Sequence, residues 1–464
     1  ADSVEAFERA VELDDSNFDA WYWYTNTLRL RRQDTEALTA MQRAVELEPM
    51  SYSANERIAN MYDVRGDFVR AIQHYDRADQ LDDKETSLFP LEIAWSYLWA
   101  GEYARAIDVF RNILADQADS VSAMMGLSDI YLAMGDYREA ELWSDRAAAL
   151  SVLYRDGHHI LEAQQNFAGA KVYMEQILQR EAPRRELGTL YQLFRIDYVS
   201  GDIEAARTWL AEFVEMLGGR IEVHPRNVRP WRELAVAAFW IAHGSEEDQE
   251  PERGRRIATE IRDGLTTLAD MGWNRPDMLA SLAAAHALLG ESTAAMDRLS
   301  EAIEAGFKNQ MSALANPAFD SLRELPEYAQ AIARMDKQIE QDKIRLADLQ
   351  LAPYVAPEKR EPVAVARELL ERYVGWYSDG NALTHVFFSD DNRFAAKYGP
   401  RPMFHLLALA GDTFYSPASS DITMRFYLDD SGEATHFDFM FPGGEQRLIR
   451  VDDPPPAIQL PRES

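Results

Sequence analysis

Four alanines recur at a nearly constant step in the first third of the chain: Ala37, Ala71, Ala106 and Ala140, at intervals of 34, 35 and 34 residues. Gly66, Gly101 and Gly135 keep the same step, and so do Tyr62, Tyr97 and Tyr131. A period of this length with residues at fixed offsets marks stacked helix–turn–helix units. The small residues let two helix backbones approach closely. The glycine ends the first helix of each unit, where a left-handed residue is required. The aromatic residues fill the space between one pair and the next. Each unit buries only part of its apolar face alone, so neighbours stabilise one another. Such a stack presents a long concave surface suited to binding another chain.

Counted from Phe18 as first position, one unit carries Trp21 fourth, Ala37 twentieth, Met41 twenty-fourth, Ala44 twenty-seventh and Pro49 thirty-second. Further units start at Tyr52, at Ser87 after one inserted residue, and at Val121. The bulky fourth residue, the small residues at the helix crossings and the exit proline resemble the tetratricopeptide repeat. The resemblance implies a mainly α fold, a right-handed α-solenoid of helix pairs. The step is regular over residues 1–150 and degenerate over 151–351. It weakens through Phe167–Leu178, returns faintly through Gly201 and Ala206, starts again near Trp231 and is interrupted by the acidic loop Gly244–Glu252. It is clear once more from Pro276 to Ala302. The stretch Asn316-Pro-Ala-Phe-Asp-Ser-Leu-Arg-Glu-Leu-Pro-Glu-Tyr328 resembles the closing turn of repeat blocks in bacterial membrane-anchored winged-helix regulators and in some cyclase-linked proteins. A polar helix from Glu327 to about Leu351 is expected to cap the array.

Residues 352–362, with three prolines and a charge run, read as a linker. Beyond them the period falls to two. A short helix, Ala364 to Glu371, leads into Tyr373-Val-Gly-Trp-Tyr377. Apolar alternation then predicts strands over Leu383–Phe388, Phe404–Leu409, Ile422–Leu428, Ala434–Phe441 and Arg447–Val451, separated by turn signals such as Asp429-Asp430-Ser431-Gly432. Residues 363–455 therefore read as a small antiparallel β-domain, a curled sheet or barrel, followed by a tail over 456–464. Tyr-Val-Gly-Trp-Tyr, Leu-Ala-Gly-Asp-Thr-Phe at 409–414 and Met-Arg-Phe-Tyr-Leu-Asp-Asp-Ser-Gly-Glu at 424–433 resemble a lipocalin-like accessory domain found behind bacterial serine hydrolases. Here helical repeats precede it, so the resemblance implies fold and not hydrolysis.

At 464 residues the chain exceeds one ordinary core. The net charge of −30 speaks against binding nucleic acid through phosphates with this portion. It reads first as a solvated acidic surface, with a basic partner as the alternative. No apolar run reaches the ~18 residues of a membrane span, and the first residues are not a signal peptide. The chain opens inside a helix, Val4 to Leu13, that reads as the second half of a repeat, so upstream sequence is expected. There is no cysteine, which excludes disulfides, thiolate metal sites and cysteine nucleophiles.

Motifs for catalysis are absent. No lysine follows a glycine and none has serine three residues before it, which excludes a Walker A loop and a Ser-x-x-Lys nucleophile. Gly-x-Ser-x-Gly, His-Glu-x-x-His and Gly-x-Gly-x-x-Gly are also missing. His158 and His159 are adjacent, and neighbours do not share a helix face. His385, His405 and His436 lie in the β-domain without ligand spacing. We therefore expect no enzyme, no cofactor and no metal.

The groove carries more information. The resemblance to the tetratricopeptide repeat implies that the first helix of each unit lines the concave face, mainly through its second, fifth, ninth, twelfth and thirteenth positions. These hold Tyr22, Asn26, Arg29, Glu56, Asn60, Asp63, Leu91, Trp95, Trp99, Met125 and Asp129. Asn26 and Asn60 occupy the ninth position of successive units, where an amide can donate to and accept from a peptide backbone. The clamp that some tetratricopeptide proteins use for a C-terminal carboxylate needs cations at these groove sites, and here Tyr22, Glu56 and Leu91 fill the fifth positions. The groove reads as aromatic and acidic, fitted to an apolar or basic segment of a protein partner. The competing reading has Trp95 and Trp99 packing against a neighbouring helix or the β-domain. The expected function is a non-enzymatic interaction scaffold or adaptor. Alternatives are the extracytoplasmic sensor of a membrane-anchored bacterial transcription regulator and small-ligand binding by the β-domain. A bacterial protein is expected, periplasmic or exported, with a cytoplasmic location left open.

Overall fold

The computed structural model describes residues 2–81, 89–150, 157–178, 186–219, 221–224, 227–308, 316–349, 363–379, 383–389, 393–398, 404–416, 419–441 and 444–451. The linker over 352–362, the tail, the start of the third unit at Ser87 and the turn signal at 390–392 lie outside these residues. The chain divides into two compact units. One holds residues 1–110, 126–141 and 156–351, and the other holds 111–125, 142–155 and 352–464.

The helices follow the expected pairing. After α1 (Asp2–Leu13) come α2 (Phe18–Leu30) with α3 (Asp34–Leu47), α4 (Tyr52–Arg65) with α5 (Phe68–Leu81), α6 (Pro90–Trp99) with α7 (Tyr103–Asp116), and α8 (Val121–Ala133) with α9 (Tyr137–Leu150). The weaker stretch holds α10 (Gly157–Ala163) and α11 (Phe167–Leu178), α12 (Glu186–Ser200) and α13 (Ile203–Met216), α14 (Trp231–His243) and α15 (Glu250–Asp270), then α16 (Pro276–Leu288) and α17 (Ser292–Glu304). A 3-10 turn over Pro317–Leu322 and the long helix α18 (Pro326–Asp348) follow.

The repeated residues have the roles that their size suggests. Ala37, Ala71, Ala106 and Ala140 are fully buried, where any larger side chain would part the helices. Ser128 stands where other units have alanine, and it donates from its hydroxyl to the Ala140 carbonyl at 2.9 Å, so its buried polar atom is satisfied. Asn17 caps α2 by accepting from the Ala20 N–H at 2.9 Å. Gly66, Gly101 and Gly135 adopt φ of 91°, 71° and 74°, the left-handed region in which glycine avoids the Cβ clash.

One property of the helical unit departs from a simple solenoid, in which each repeat touches only its neighbours. The turns that precede α16 and follow α17 dock on the turns that follow α4 and α6. The Asn274 N–H donates to the Arg65 carbonyl at 2.9 Å. Arg275 donates from Nη1 to the Asp63 carbonyl at 3.1 Å. One repeat further on, Lys308 donates to the Gly101 carbonyl and forms a buried ion pair with Asp342 at 2.5 Å. A Cβ on Gly66 would lie 2.6 Å from the Arg275 nitrogen, and one on Gly101 would overlap the Gly306 backbone. Gly135 has the same conformation and nothing within 4 Å of such a Cβ. Two successive turns of the early repeats thus meet two successive turns of the late ones, in phase.

In the second unit, α19 (Arg367–Leu370) leads, among the described residues, into nine strands: β1 (Gly375–Ser378), β2 (Leu383–Phe388), β3 (Phe394–Tyr398), β4 (Phe404–His405), β5 (Leu407–Ala410), β6 (Thr413–Ser416), β7 (Ser419–Leu428), β8 (Ala434–Phe441) and β9 (Gly444–Val451). Their order is β4-β3-β2-β1-β9-β8-β7-β6-β5, and every neighbouring pair is antiparallel. The two edge strands, β4 and β5, are separated only by Leu406, whose N–H donates to the Phe394 carbonyl at 2.9 Å. The chain passage over 404–410 therefore serves both edges, and the sheet curls into a nearly closed antiparallel barrel. The expected strand Phe404–Leu409 is broken at that residue. Rings fill the interior: Tyr373 lies 4.8 Å from Phe426, Tyr377 lies 5.0 Å from Phe437, and Phe394 lies 5.2 Å from Phe414, between centroids.

Candidate functional site

The groove residues divide into two groups. In the first two repeats Tyr22 and Asn26 are half-buried and share one partner: the Arg57 guanidinium lies 4.6 Å over the Tyr22 ring and donates to the Asn26 side-chain oxygen. Asn60 faces the Tyr75 hydroxyl and counters the effect of burial on it. Of the two ninth-position asparagines, Asn26 is thus engaged within the chain. Arg29, Glu56 and Asn60 are exposed, and Asp63 accepts from the Ser96 hydroxyl at 2.7 Å. Burial, partly offset by Ser96 and Arg275, raises the Asp63 pKa. The thirteenth positions of these repeats, Leu30 and Val64, are apolar and exposed.

In the third and fourth repeats the same helix face becomes enclosed. Trp95, Trp99 and Asp129 line a cavity of about 740 Å³, within the size range of ligand pockets. Leu91 and Met125 are half-buried beside it in sequence and are not among its lining residues. The other walls come from the degenerate repeats: Tyr191 and Tyr198 of α12, Trp231 of α14, Phe167 of α11, and the segment 306–308. Trp95 meets Phe110 edge-on at 5.4 Å and Trp99 at 6.2 Å. Trp99 is covered by two cations, with the Arg229 guanidinium carbon 3.4 Å and that of Arg275 4.3 Å from its ring centroid. Both tryptophans therefore pack within the helical unit and also face the cavity.

The cavity's charges are arranged in pairs. Arg195 donates to Glu162 at 2.5 Å and to Gln192 at 2.9 Å. Arg229 and Arg275 share the Asp277 carboxylate, Arg275 through Nε at 3.1 Å. Burial raises the Glu162 pKa against the pull of Arg195. Burial first, then His158 and Arg195, holds His159 well below the usual histidine range, so its ring is neutral near pH 7.

Contrary to the helix-face argument, the rings of His158 and His159 lie 3.9 Å apart, and with Glu162 they form a group whose ligand atoms fall within 4.8 Å of one another. The short helix α10 turns both rings to one side. Arg195 already stands where a cation would bind, 2.5 Å from Glu162 and 3.4 Å from the His159 ring nitrogen. In the barrel, His385 stacks on Trp376 at 4.1 Å and His436 on Tyr427 at 4.5 Å, on different strands. The described residues do not bring these two and His405 into a ligand group.

Tetratricopeptide-repeat family models match residues 1–45, 28–85 and 97–150. Residues 1–85 and 97–150 carry tetratricopeptide repeats. The matches fall on α1 to α5 and on the end of α6 through α9, so the helical pairs that wall the cavity opposite Trp99 lie outside them. No curated protein sequence matches. Among solved structures, a tetratricopeptide repeat protein from Parabacteroides merdae ATCC 43184 is 14% identical with a TM-score of 0.40, over 57% of this chain and 97% of that one. YrrB, described as a tetratricopeptide repeat protein with an unusual peptide-binding site, is 17% identical with a TM-score of 0.28, over 45% and 100%. Yeast Tom70 is 13% identical with a TM-score of 0.36, over 68% and 62%. These likenesses carry no argument about ligand or partner.

The cavity residues that the sequence reading missed are Tyr191, Tyr198, Trp231 and Arg229. They sit in repeats whose spacing has drifted, so no phase identified them as groove positions. One signal was available. Gly272 and Gly306 lie 34 residues apart, one fewer than the 35 between Gly66 and Gly101, on which their turns dock.

Proposed function

We propose that this chain is a non-enzymatic interaction protein that binds an apolar or basic segment of a protein partner along the groove of its early repeats, with the cavity as the anchoring pocket. The observation that carries this reading is the continuity of one helix face. Its thirteenth positions run from exposed Leu30 and Val64 to Trp99 and Ala133, which line the cavity. A face that leaves apolar residues exposed and ends in an aromatic pocket suits an extended segment with one anchoring side chain. Exposed Glu56 and Asp129 favour a segment without negative charge. We read the barrel as an accessory module and not as a ligand calyx, because aromatic rings occupy its interior.

Screening the full chain against an array of random peptides tests the reading. Apolar and basic sequences are expected to bind, and Asp129→Lys or Trp231→Ala is expected to weaken them about tenfold or more. Binding that is indifferent to both changes, or no binding, would overturn it.

A further inference from the structure

Two arginines from distant parts of the chain sit on groove positions of the second and third repeats. Arg275 reaches Asp63, donating to its carbonyl at 3.1 Å with its carboxylate 4.0 Å away, and lies over Trp99. Arg229 lies over the same indole, its guanidinium carbon 3.4 Å from the ring centroid. In the first two repeats the groove holds a guanidinium in the same manner, with Arg57 stacked on Tyr22 and bonded to Asn26. In three instances a ring offers its face and a neighbouring carboxylate, amide or carbonyl oxygen accepts from the planar cation. Arginine suits such a site because its flat, weakly hydrated cation can stack and donate at once.

The two arginines on Trp99 are not equivalent. Arg275 is buried, and its neighbour Asn274 is bonded to the Arg65 carbonyl, so it belongs to the seam between early and late repeats. Arg229 precedes α14, and its side chain is 41% exposed. It is held by Asp277, which Arg275 also uses. Two like charges on one ring and one carboxylate repel each other, and the more exposed of them is the one that can leave.

We propose that Arg229 is an internal occupant of the groove, holding the Trp99 site in the place that an arginine of the partner segment takes on binding. This rests on the reading that the groove binds a partner, and it narrows that partner to an arginine-bearing segment. Binding exchanges one guanidinium for another, so part of the intrinsic affinity is spent displacing Arg229.

The test uses the full chain and three fluorescein-labelled pools of short peptides with random flanks and a fixed central arginine, lysine or citrulline, followed by anisotropy. The arginine pool is expected to bind about tenfold tighter than the citrulline pool, with lysine between them. Arg229→Ala is expected to tighten the arginine pool severalfold by removing the competitor, and Trp99→Leu to abolish the preference. Arg229→Gln keeps a hydrogen-bond donor for Asp277 and serves if the alanine variant does not fold. Arginine and citrulline pools that bind alike, or Arg229 variants that leave the arginine pool unchanged or weaker, would overturn the internal-occupant inference. If binding shows no arginine preference yet depends on Trp99, the groove reading stands and this inference fails. If no pool binds, both fail.

Discussion

Gly101 and Gly135 separate two roles that one residue type plays in a repeat protein. Both end the first helix of a repeat with φ near 70°, at 71° and 74°. Alanine in that region costs about 1–2 kcal/mol from the Cβ clash with its own backbone. At Gly135 nothing lies within 4 Å of the added carbon, so Gly135→Ala should lose only that amount. At Gly101 the added carbon would sit 3.0 Å from the Gly306 Cα and closer still to its carbonyl oxygen. Backbone cannot rotate away as a side chain can, so overpacking adds about 1–3 kcal/mol. The expected totals are about 1–2 kcal/mol for Gly135→Ala and about 2–5 kcal/mol for Gly101→Ala. At about 2 °C per kcal/mol for a unit of this size, Tm should fall by about 2–4 °C and about 4–10 °C. Differential scanning fluorimetry of both variants reads this directly. A third variant, Gly306→Ala, acts on the same contact from the other side. Combined with Gly101→Ala it should cost less than the sum, since the seam opens once. Equal losses for Gly101→Ala and Gly135→Ala, or strict additivity of the Gly101 and Gly306 changes, would refute the docking of the two sets of turns.

Two further outcomes follow from the charges. Lys308→Met leaves buried Asp342 with only the half-exposed Arg345, 3.6 Å away, and should cost about 2–4 kcal/mol, while Lys308→Met with Asp342→Leu should recover most of it; a single variant as stable as the parent in a thermal melt would contradict this. In the barrel, Arg447 binds Asp438 through two bonds of 2.7 and 2.9 Å and holds its pKa below the ordinary 3.8. The folded pKa is the lower one, so the pair's contribution is complete above pH 3.8 and is lost as pH falls through the lower folded value. Asp438→Asn should therefore flatten the acid limb of the barrel's near-ultraviolet circular dichroism, and an unchanged acid limb would count against the pair.

The parts legible in the sequence were those with local causes. Alanines at helix crossings and glycines at left-handed caps act within one repeat, and their spacing located α2 to α9. Strands with β-branched and aromatic alternation, Leu383–Phe388 and Ala434–Phe441, were found with their observed bounds. β3 was missed because Phe394-Ala-Ala-Lys-Tyr is poor in strand-forming residues and is held by pairing on both sides. The seam depends on contacts between residues some two hundred positions apart, Arg229 meets Trp99 across 130, and spacing within a repeat says nothing of these. The same distance explains Asp63 and Trp99, read as groove positions open to a partner. Their covering cations, Arg275 and Arg229, come from outside the regular repeats.

Hydrogen exchange of the full chain, with and without a peptide selected from the random array, tests the central claim most directly. Slower exchange is expected in α6, α8, α12 and α14, the helices that wall the cavity. Protection confined to the barrel, or none in those four helices at saturating peptide, would contradict the assignment of the cavity as the partner's anchoring pocket.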